Sequence, residues 1–213
     1  MKGKVVKRIA IIGTGNVGKA LGPAFEQAGH DVAYGVRDPA DPKHADAGLA
    51  VRSARDAAHW AEIVVLAVNW AQVDKALADC GDIDEKILID CTNPLTFGAE
   101  GISLAIGFDT SGGEIIASKA KANVVKTLNH VGSPVMESAH RFATPPIQFV
   151  CGEDAQAKRI VSGLLRDIGF APIDYGGIEN SRKLEPLAML WIDQAYKHGM
   201  KLTNALTFIG PEN

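Results

Sequence analysis

Three glycines near the N-terminus have the spacing found in loops that bind the phosphates of a dinucleotide. Residues 13–18 read Gly-Thr-Gly-Asn-Val-Gly and follow a predicted strand at residues 7–12. In such a loop the first glycine permits a tight turn, the second lets the backbone approach a pyrophosphate, and the third lets the next helix pack closely. The pyrophosphate would also meet the positive end of that helix. We therefore predict a dinucleotide site, with a tight turn that binds no ligand as the alternative. Its predicted residues are Gly13, Thr14, Gly15, Asn16, Val17 and Gly18.

The residue that would choose between NAD and NADP follows the second predicted strand, at residues 31–36. Sites specific for NAD usually place a carboxylate there, to bind the ribose 2′-hydroxyl. Here the strand is followed by Arg37, Asp38 and Pro39. The planar guanidinium suits a 2′-phosphate and could stack on adenine, whereas Pro39 indicates that Asp38 begins a turn. We predict NADP(H), held through Arg37. The alternative is that Arg37 is a solvated surface arginine.

Short apolar runs alternate with helix-like stretches, which is typical of βαβ units and a parallel sheet. Strands are predicted at 7–12, 31–36, 50–51, 63–68, 86–90, 124–127, 147–151 and 171–174. Helices are predicted at 19–28, briefly after Ser53, from Ser111 to about Lys121, after Asp154, and from about Ser181 to Asn204. The predicted fold class is α/β, a Rossmann-type doubly wound parallel sheet with a small C-terminal α/β segment.

A domain boundary is predicted near the dipeptide Pro145-Pro146. Residues 1–145 would form the NADP-binding Rossmann domain. Residues 146–213 would form a small C-terminal α/β segment whose terminal helix covers the cleft.

Composition excludes several functional classes. Lys and Arg number 22 against 25 Asp and Glu, a net charge of −3, so there is no basic field to bind nucleic acid. The apolar run at 63–68 is far below the ~18 residues that cross a bilayer. Cys80, Cys91 and Cys151 have no C-x-x-C spacing and are expected to be small buried hydrophobes in a reducing compartment. We expect a cytoplasmic protein with no membrane segment and, lacking ligand spacing such as H-E-x-x-H, no metal.

Several short motifs in a fixed order resemble those of the NADPH-dependent coenzyme F420 reductase family, whose relatives include the cytosolic oxidoreductase domain of STEAP-type metalloreductases. The motifs are residues 13–18, Gly35-x-Arg37, Val68-Asn69-Trp70, Val124-Val125-Lys126, residues 150–154 and Asn180-Ser181-Arg182. The resemblance covers nearly the whole chain. It implies hydride transfer between NADPH and a deazaflavin or flavin, such as coenzyme F420, FMN or FAD, in a homodimer.

The resemblance also implies roles for individual residues. The loop Val68-Asn69-Trp70 resembles the segment that passes the nicotinamide ribose, and Asn93 and Pro94 should lie beside it.

The sequence departs from the family at two positions. Val36 replaces a serine that often precedes the arginine. Asn129, rather than His130, occupies a histidine slot of the F420 enzymes, as in the flavin-using relatives. The loop from Asn129 to Gly132 would position the reacting rings. His130 would orient the acceptor or supply a proton, or would simply be hydrogen-bonded within its loop.

Two other functions stay open from the sequence. The chain could reduce a small carbonyl or imine, although the asparagine that hydroxyacid dehydrogenases place about one turn after a lysine is missing after Lys183, where Pro186 and Leu187 stand. It could also be a non-catalytic NADP(H)-binding sensor module. The identity of the acceptor, the direction of the reaction and the role of the cysteines are not fixed by the sequence.

Overall fold

The computed structural model describes residues 5–44, 48–99 and 101–210. Its strands are β1 (Arg8–Ile12), β2 (Asp31–Val36), β3 (Ala50–Ser53), β4 (Ile63–Leu66), β5 (Ile87–Asp90), β6 (Leu95–Gly98), β7 (Gly101–Leu104), β8 (Asn123–Lys126), β9 (Ile147–Val150) and β10 (Ala171–Asp174). Its α-helices are α1 (Asn16–Gln27), α2 (Ala54–Trp60), α3 (Val73–Cys80), α4 (Gly112–Ala120), α5 (Ser133–Ser138), α6 (Ala155–Asp167) and α7 (Ser181–Lys197).

Six strands form a central sheet in the order β3-β2-β1-β4-β5-β8, and every pair in it is parallel. This order reverses between β1 and β4, so the loops after these strands diverge and leave a crevice at their carboxyl ends. The central strands β1 and β4 consist almost wholly of buried apolar residues, because both faces of the sheet are covered there. Two apolar clusters, one on each face, form the core. The predicted Rossmann-type α/β fold is confirmed.

The C-terminal segment adds a second, two-stranded parallel sheet of β9 and β10. It joins the central sheet through an antiparallel bridge between Lys126 and Cys151, whose backbone groups exchange hydrogen bonds of 2.8 and 3.0 Å. One apolar cluster contains Phe25 of α1 together with Val161 and Leu164 of α6, so the segment shares the core of the main sheet. The boundary near residue 145 stays a prediction.

Helix caps form at the two serines where the sequence predicts helices to begin. The Ser53 hydroxyl accepts the Asp56 N–H at 3.1 Å, and the Ser111 hydroxyl accepts the Glu114 N–H at 3.2 Å. Each cap satisfies a backbone donor that has no partner inside its helix.

Several predicted boundaries are wrong, and α3 and α5 were not predicted. The strand predicted to reach residue 68 ends at Leu66, because Ala67 and Val68 turn into the crevice. The last helix ends at Lys197 rather than near residue 204, since Gly199 (φ 73°) adopts a left-handed conformation and the Met200 N–H bonds back to the Gln194 carbonyl at 3.0 Å. The antiparallel hairpin of β6 and β7 was not predicted, because its strands are short and mostly exposed or half-buried.

No helix in the described ranges is long and apolar enough to span a bilayer. Within those same ranges, no three His, Cys, Asp or Glu side chains are grouped so that they could hold a metal ion.

Candidate dinucleotide cleft

A cleft of about 700 Å³ opens at the carboxyl ends of β1, β2 and β4. Its floor is the glycine loop, one wall is the segment after β2, and the other wall is the loop after β4 together with α3. Of the predicted site residues, the cleft is lined by Gly13, Thr14, Gly15, Arg37, Val68 and Asn69. This is the edge of an open α/β sheet where ligands bind.

The glycine loop is shaped by close approaches of the backbone. Gly13 has φ 111°, and a Cβ there would stand 2.5 Å from the Ala67 carbonyl oxygen. A Cβ on Gly18 would collide with the Gly13 carbonyl, so this glycine lets α1 pack directly on the loop. At Gly15 no described atom lies within 4 Å of where a Cβ would be, so that face of the backbone is open. The three glycines thus meet the three requirements of a pyrophosphate loop.

The first turn of α1 is suited to an anion. Among the described residues no side chain caps this helix at Gly15, and its first turn, which includes Asn16, Val17 and Gly18, has no acidic residue. The free N–H groups and the positive end of the helix dipole therefore lack a competing carboxylate. The loop and helix fit a pyrophosphate.

Basic side chains surround the cleft near β2. Arg37 is exposed, and Lys43 and Lys75 line the cleft with it. The Lys43 ammonium lies 2.5 Å from the Asp41 carboxylate, and that hydrogen bond lowers the pKa of Asp41. The Lys75 ammonium lies 3.0 Å from the Asp79 carboxylate. Both lysines could turn from these carboxylates toward a bound phosphate, because each pair is at the surface and weak.

Some side chains of the loop after β4 line the cleft, and others pack against α4. Val68 and Asn69 line the cleft, whereas the Trp70 ring packs where a Cβ on Gly112 would meet it at 3.0 Å. Pro94 is buried against the same glycine, at 3.3 Å from the same Cβ position. Trp70 and Pro94 thus support the first turn of α4 and are not among the described residues that line the cleft.

Asn93 and Asn129 lie side by side beyond β4, and neither is among the described residues that line the cleft, so a cofactor role for Asn93 stays a prediction. The Asn93 amide donates to the Asn129 carbonyl at 2.8 Å, and the Asn129 amide donates to the Asn93 side-chain oxygen at 3.0 Å and to the Leu184 carbonyl at 3.1 Å. This pair fixes the loops after β5 and β8 against the start of α7.

His130 is buried, with 1% of its surface exposed. Its Nδ1 lies 3.1 Å from the Asn129 side-chain oxygen, and its Nε2 has no partner among the described residues. Burial and the nearby charge of Lys126 lower the pKa of His130 to about 4. The ring is therefore neutral at neutral pH and has no imidazolium proton to supply. The alternative of a histidine hydrogen-bonded within its loop describes this geometry.

A fully buried charged cluster lies next to these asparagines. The Lys126 ammonium lies 2.9 Å from Asp90 and 3.0 Å from Glu185, and it donates to the Thr92 carbonyl at 2.6 Å. Burial opposes the charged form of Lys126, but the two carboxylates outweigh it and raise its pKa. Lys126 is therefore a permanent cation. Sequence reasoning missed this cluster because its members are far apart in the chain.

The three cysteines are buried and free. Burial raises the pKa of Cys80 and of Cys151 to about 12 and raises that of Cys91 as well. The thiols stay protonated and act as small apolar side chains, as the sequence predicts.

Comparison with known proteins agrees with the fold and the cleft. The family model described as NADP oxidoreductase, coenzyme F420-dependent, matches residues 8–94, which include the glycine loop, Arg37 and Asn93. The crystal structure of a candidate F420-dependent NADP reductase from Arthrobacter sp. FB24 is 34% identical in sequence. The superposition covers 91% of this chain and 95% of that one, with a TM-score of 0.83.

Two further relatives differ in how much of them the chain spans. The F420-dependent NADP reductase of Methanothermobacter thermautotrophicus is 27% identical, and the match covers 94% of this chain and 96% of the relative. The metalloreductase STEAP3 of Rattus norvegicus is 26% identical over 88% of this chain, which spans 38% of that protein's length.

The fold and the cleft define a Rossmann-type protein of the NADP-dependent oxidoreductase class. With the Arthrobacter structure matched over nearly its whole length, the chain belongs to the coenzyme F420-dependent NADP oxidoreductase family.

Proposed function

We propose that this protein transfers a hydride between NADPH and a deazaflavin or flavin acceptor, with coenzyme F420 as the first candidate. The observation that carries the proposal is the cleft itself: an open glycine loop, an uncapped helix end and Arg37 line one continuous groove at the edge of the sheet. Family membership supports NADP(H) as the nucleotide.

In this proposal the glycine loop and the first turn of α1 hold the pyrophosphate. Arg37, with Lys43 and Lys75 close by, binds the 2′-phosphate at the end of the cleft nearest β2. Val68 and Asn69 pass the nicotinamide ribose. Because β5 and β8 follow β4 in the sheet order, the nicotinamide half extends toward Asn93 and Asn129.

Bound NADPH would supply the hydride, and the protein would supply orientation. Transfer between two rings depends on their proximity and alignment more than on an acid–base pair. A neutral His130 fits this requirement, since it can hold Asn129 in place without giving up a proton. We therefore propose that His130 and Asn129 position the reacting rings and that neither is a proton donor.

We choose the acceptor by the share of each relative's length that this chain spans. The chain spans 96% of a relative named as an F420-dependent NADP reductase, but 38% of a metalloreductase. Coenzyme F420 is therefore our first acceptor, and FMN and FAD are comparators.

The test is oxidation of NADPH, followed by its absorbance, with F420, FMN and FAD offered in parallel and NADH as the control nucleotide. The proposal expects NADPH to be consumed with F420 and NADH to be much poorer. Turnover with FMN or FAD alone would correct the acceptor. Tight NADPH binding without turnover on any acceptor would overturn the enzymatic proposal and favour a sensor module.

We also propose a cytoplasmic homodimer. Leu190 and Tyr196 on α7 are 57% and 69% exposed, which leaves apolar surface on that helix. Light scattering during gel filtration should give the mass of two chains; the mass of one chain would contradict the dimer.

A further inference from the structure

The buried cluster of Lys126, Asp90 and Glu185, called here the charged triad, connects four elements. Asp90 ends β5, Lys126 ends β8 and Glu185 lies in α7. The Glu185 carboxylate also accepts the backbone N–H groups of Gly112 and Gly113, each at 3.0 Å, in the first turn of α4. One side-chain cluster thus holds two strand ends and two helices together.

Hydrogen bonding in the triad is complete on the Lys126 side. An ammonium has three N–H donors, and those of Lys126 have Asp90, Glu185 and the Thr92 carbonyl as acceptors. The other Asp90 oxygen accepts the Thr92 N–H at 2.8 Å. The position of each member is therefore fixed by the others.

The triad and the asparagine pair are connected through neighbouring residues of the chain. Asn93 follows Asp90 by three residues, Asn129 follows Lys126 by three, and Leu184, whose carbonyl accepts from Asn129, precedes Glu185. The charged triad and the asparagine pair with its Leu184 acceptor therefore come from the same three segments of chain. A shift of the triad must therefore move the amides.

A buried ionic cluster is weak evidence for stability, because apolar side chains of similar volume often stabilise as well or better. The complete burial of all three side chains, 0%, 0% and 2% exposed, makes this cluster costly to build. The connection of the triad to the asparagine pair offers a functional reason for this cost.

We propose that Lys126 is a positioning residue for hydride transfer, acting through Asp90 and Glu185 to set Asn93, Asn129 and α7 at the nicotinamide end of the cleft. This inference rests on the proposed function. It concerns the alignment of the rings and leaves the affinity for the adenosine half to Arg37 and the glycine loop.

The variant that tests it is Glu185→Gln, which keeps the side-chain shape and removes one charge. Its matched control is Glu114→Gln. Glu114 joins the same two helices at the surface, through hydrogen bonds from Arg182 of 2.6 and 2.8 Å. We expect Glu185→Gln to lower kcat by about 10- to 100-fold, as a small misplacement of reacting groups does. The Kd for NADPH should stay within about twofold, and Glu114→Gln should change kcat by less than about twofold.

Equal losses of kcat in the two glutamate variants would overturn the proposal, because they would show that docking of α7 alone matters. A loss of NADPH affinity that accounts for the whole effect of Glu185→Gln would overturn it too.

A second measurement uses the unaltered protein and holds even where the variant fails to fold. With isotope-labelled lysine, the ammonium resonance of Lys126 is followed by NMR during titration with NADPH and, separately, with adenosine 2′,5′-bisphosphate, which lacks the nicotinamide half. The proposal expects NADPH to shift the resonance and the bisphosphate to leave it in place. No shift with NADPH, or the same shift with both ligands, would contradict it. This readout needs no acceptor, so failure of the proposed turnover and failure of the triad's role are told apart.

Discussion

The cleft near β2 and the buried region beyond β4, called here the open end and the closed end, are built in opposite ways. The end near β2 is open: the glycine loop lies in solvent contact, and Arg37, Lys43 and Lys75 are exposed. The end beyond β4 is closed: Asn129 and His130 are 5% and 1% exposed, Lys126 is fully buried, and none of the three is among the described residues that line the cleft. Binding a charged phosphate needs accessible donors, whereas aligning two rings needs side chains that cannot move. Under the proposed function, the open end would supply affinity for the nucleotide and the closed end would supply orientation.

The largest effect is expected where the closed end is broken. Lys126→Met leaves Asp90 and Glu185 as buried carboxylates without their cation. Removing one partner of a buried ion pair costs about 3–5 kcal/mol, and we expect that loss of unfolding free energy in urea denaturation. Lys119→Met, which removes an exposed lysine paired with Asp74 at 2.6 Å, is the control and should cost less than about 1 kcal/mol. Equal losses of unfolding free energy in the two variants would show that the buried Lys126 contributes no more than the exposed Lys119.

The next effect sharpens the same comparison through pH. His130 has a folded pKa of about 4 against 6.5 for an ordinary histidine. Between pH 6.5 and pH 4 this histidine is therefore protonated in the unfolded chain and neutral in the folded chain. The free energy of unfolding falls as the pH falls through that window. At about 1.4 kcal/mol per pKa unit the fall amounts to about 3 kcal/mol.

Denaturation at a series of pH values measures this slope, and His130→Gln should flatten it. The control is His198→Gln, since His198 is exposed. A slope that persists in His130→Gln would assign the acid sensitivity to other groups.

A smaller effect is expected at the open end. Arg37→Ala should weaken NADPH binding by about 10- to 100-fold, since a hydrogen bond to a charged group contributes about 1.5–3 kcal/mol, and should change NADH binding little. Calorimetric titration with both nucleotides gives the ratio, with Arg159→Ala of α6 as the control because its guanidinium bonds to Gln156. Equal losses for NADPH and NADH would refute a 2′-phosphate role for Arg37.

The smallest effect concerns α4, the helix whose first turn meets the charged triad. Ser111 caps α4, whose first turn meets Glu185. Ser111→Ala should lower the unfolding free energy by about 1 kcal/mol, as the loss of a cap usually does. Ser53→Ala removes the equivalent cap of α2, away from the closed end, and should cost a similar amount. If only the Ser111 variant also lowers kcat, the link between α4 and the charged triad is supported. No change in kcat would limit Ser111 to capping.

What the sequence reveals follows the same division. The glycine loop and Arg37 are local signals, because strand, turn and helix occur within about 30 residues of chain, and the structure brings Gly13, Gly15 and Arg37 into one cleft. The alternation of strands and helices likewise predicts the sheet. Lys126, Asp90 and Glu185 carry no such signal, since their meeting depends on the order of β5 and β8 and on where α7 packs.

Lys43 and Lys75 also line the cleft without a signal in the sequence. Each is an ordinary lysine in the sequence, and α3, which carries Lys75, was not among the predicted helices. The spacing of Lys75 and Asp79 places them on one face of that helix, which the structure turns toward the cleft together with Gln72 just before it. Once α3 is located, the spacing of its polar residues predicts which face of the helix lines the cleft.

The central claim is that this protein moves a hydride directly from NADPH to a deazaflavin. The most direct test uses NADPH that carries deuterium at both positions of nicotinamide C4, mixed with protein and coenzyme F420, with the reduced F420 analysed by mass spectrometry. The account predicts reduced F420 that contains one deuterium from each NADPH consumed. Reduced F420 without the label, or NADPH left unconsumed beside intact F420, would contradict it.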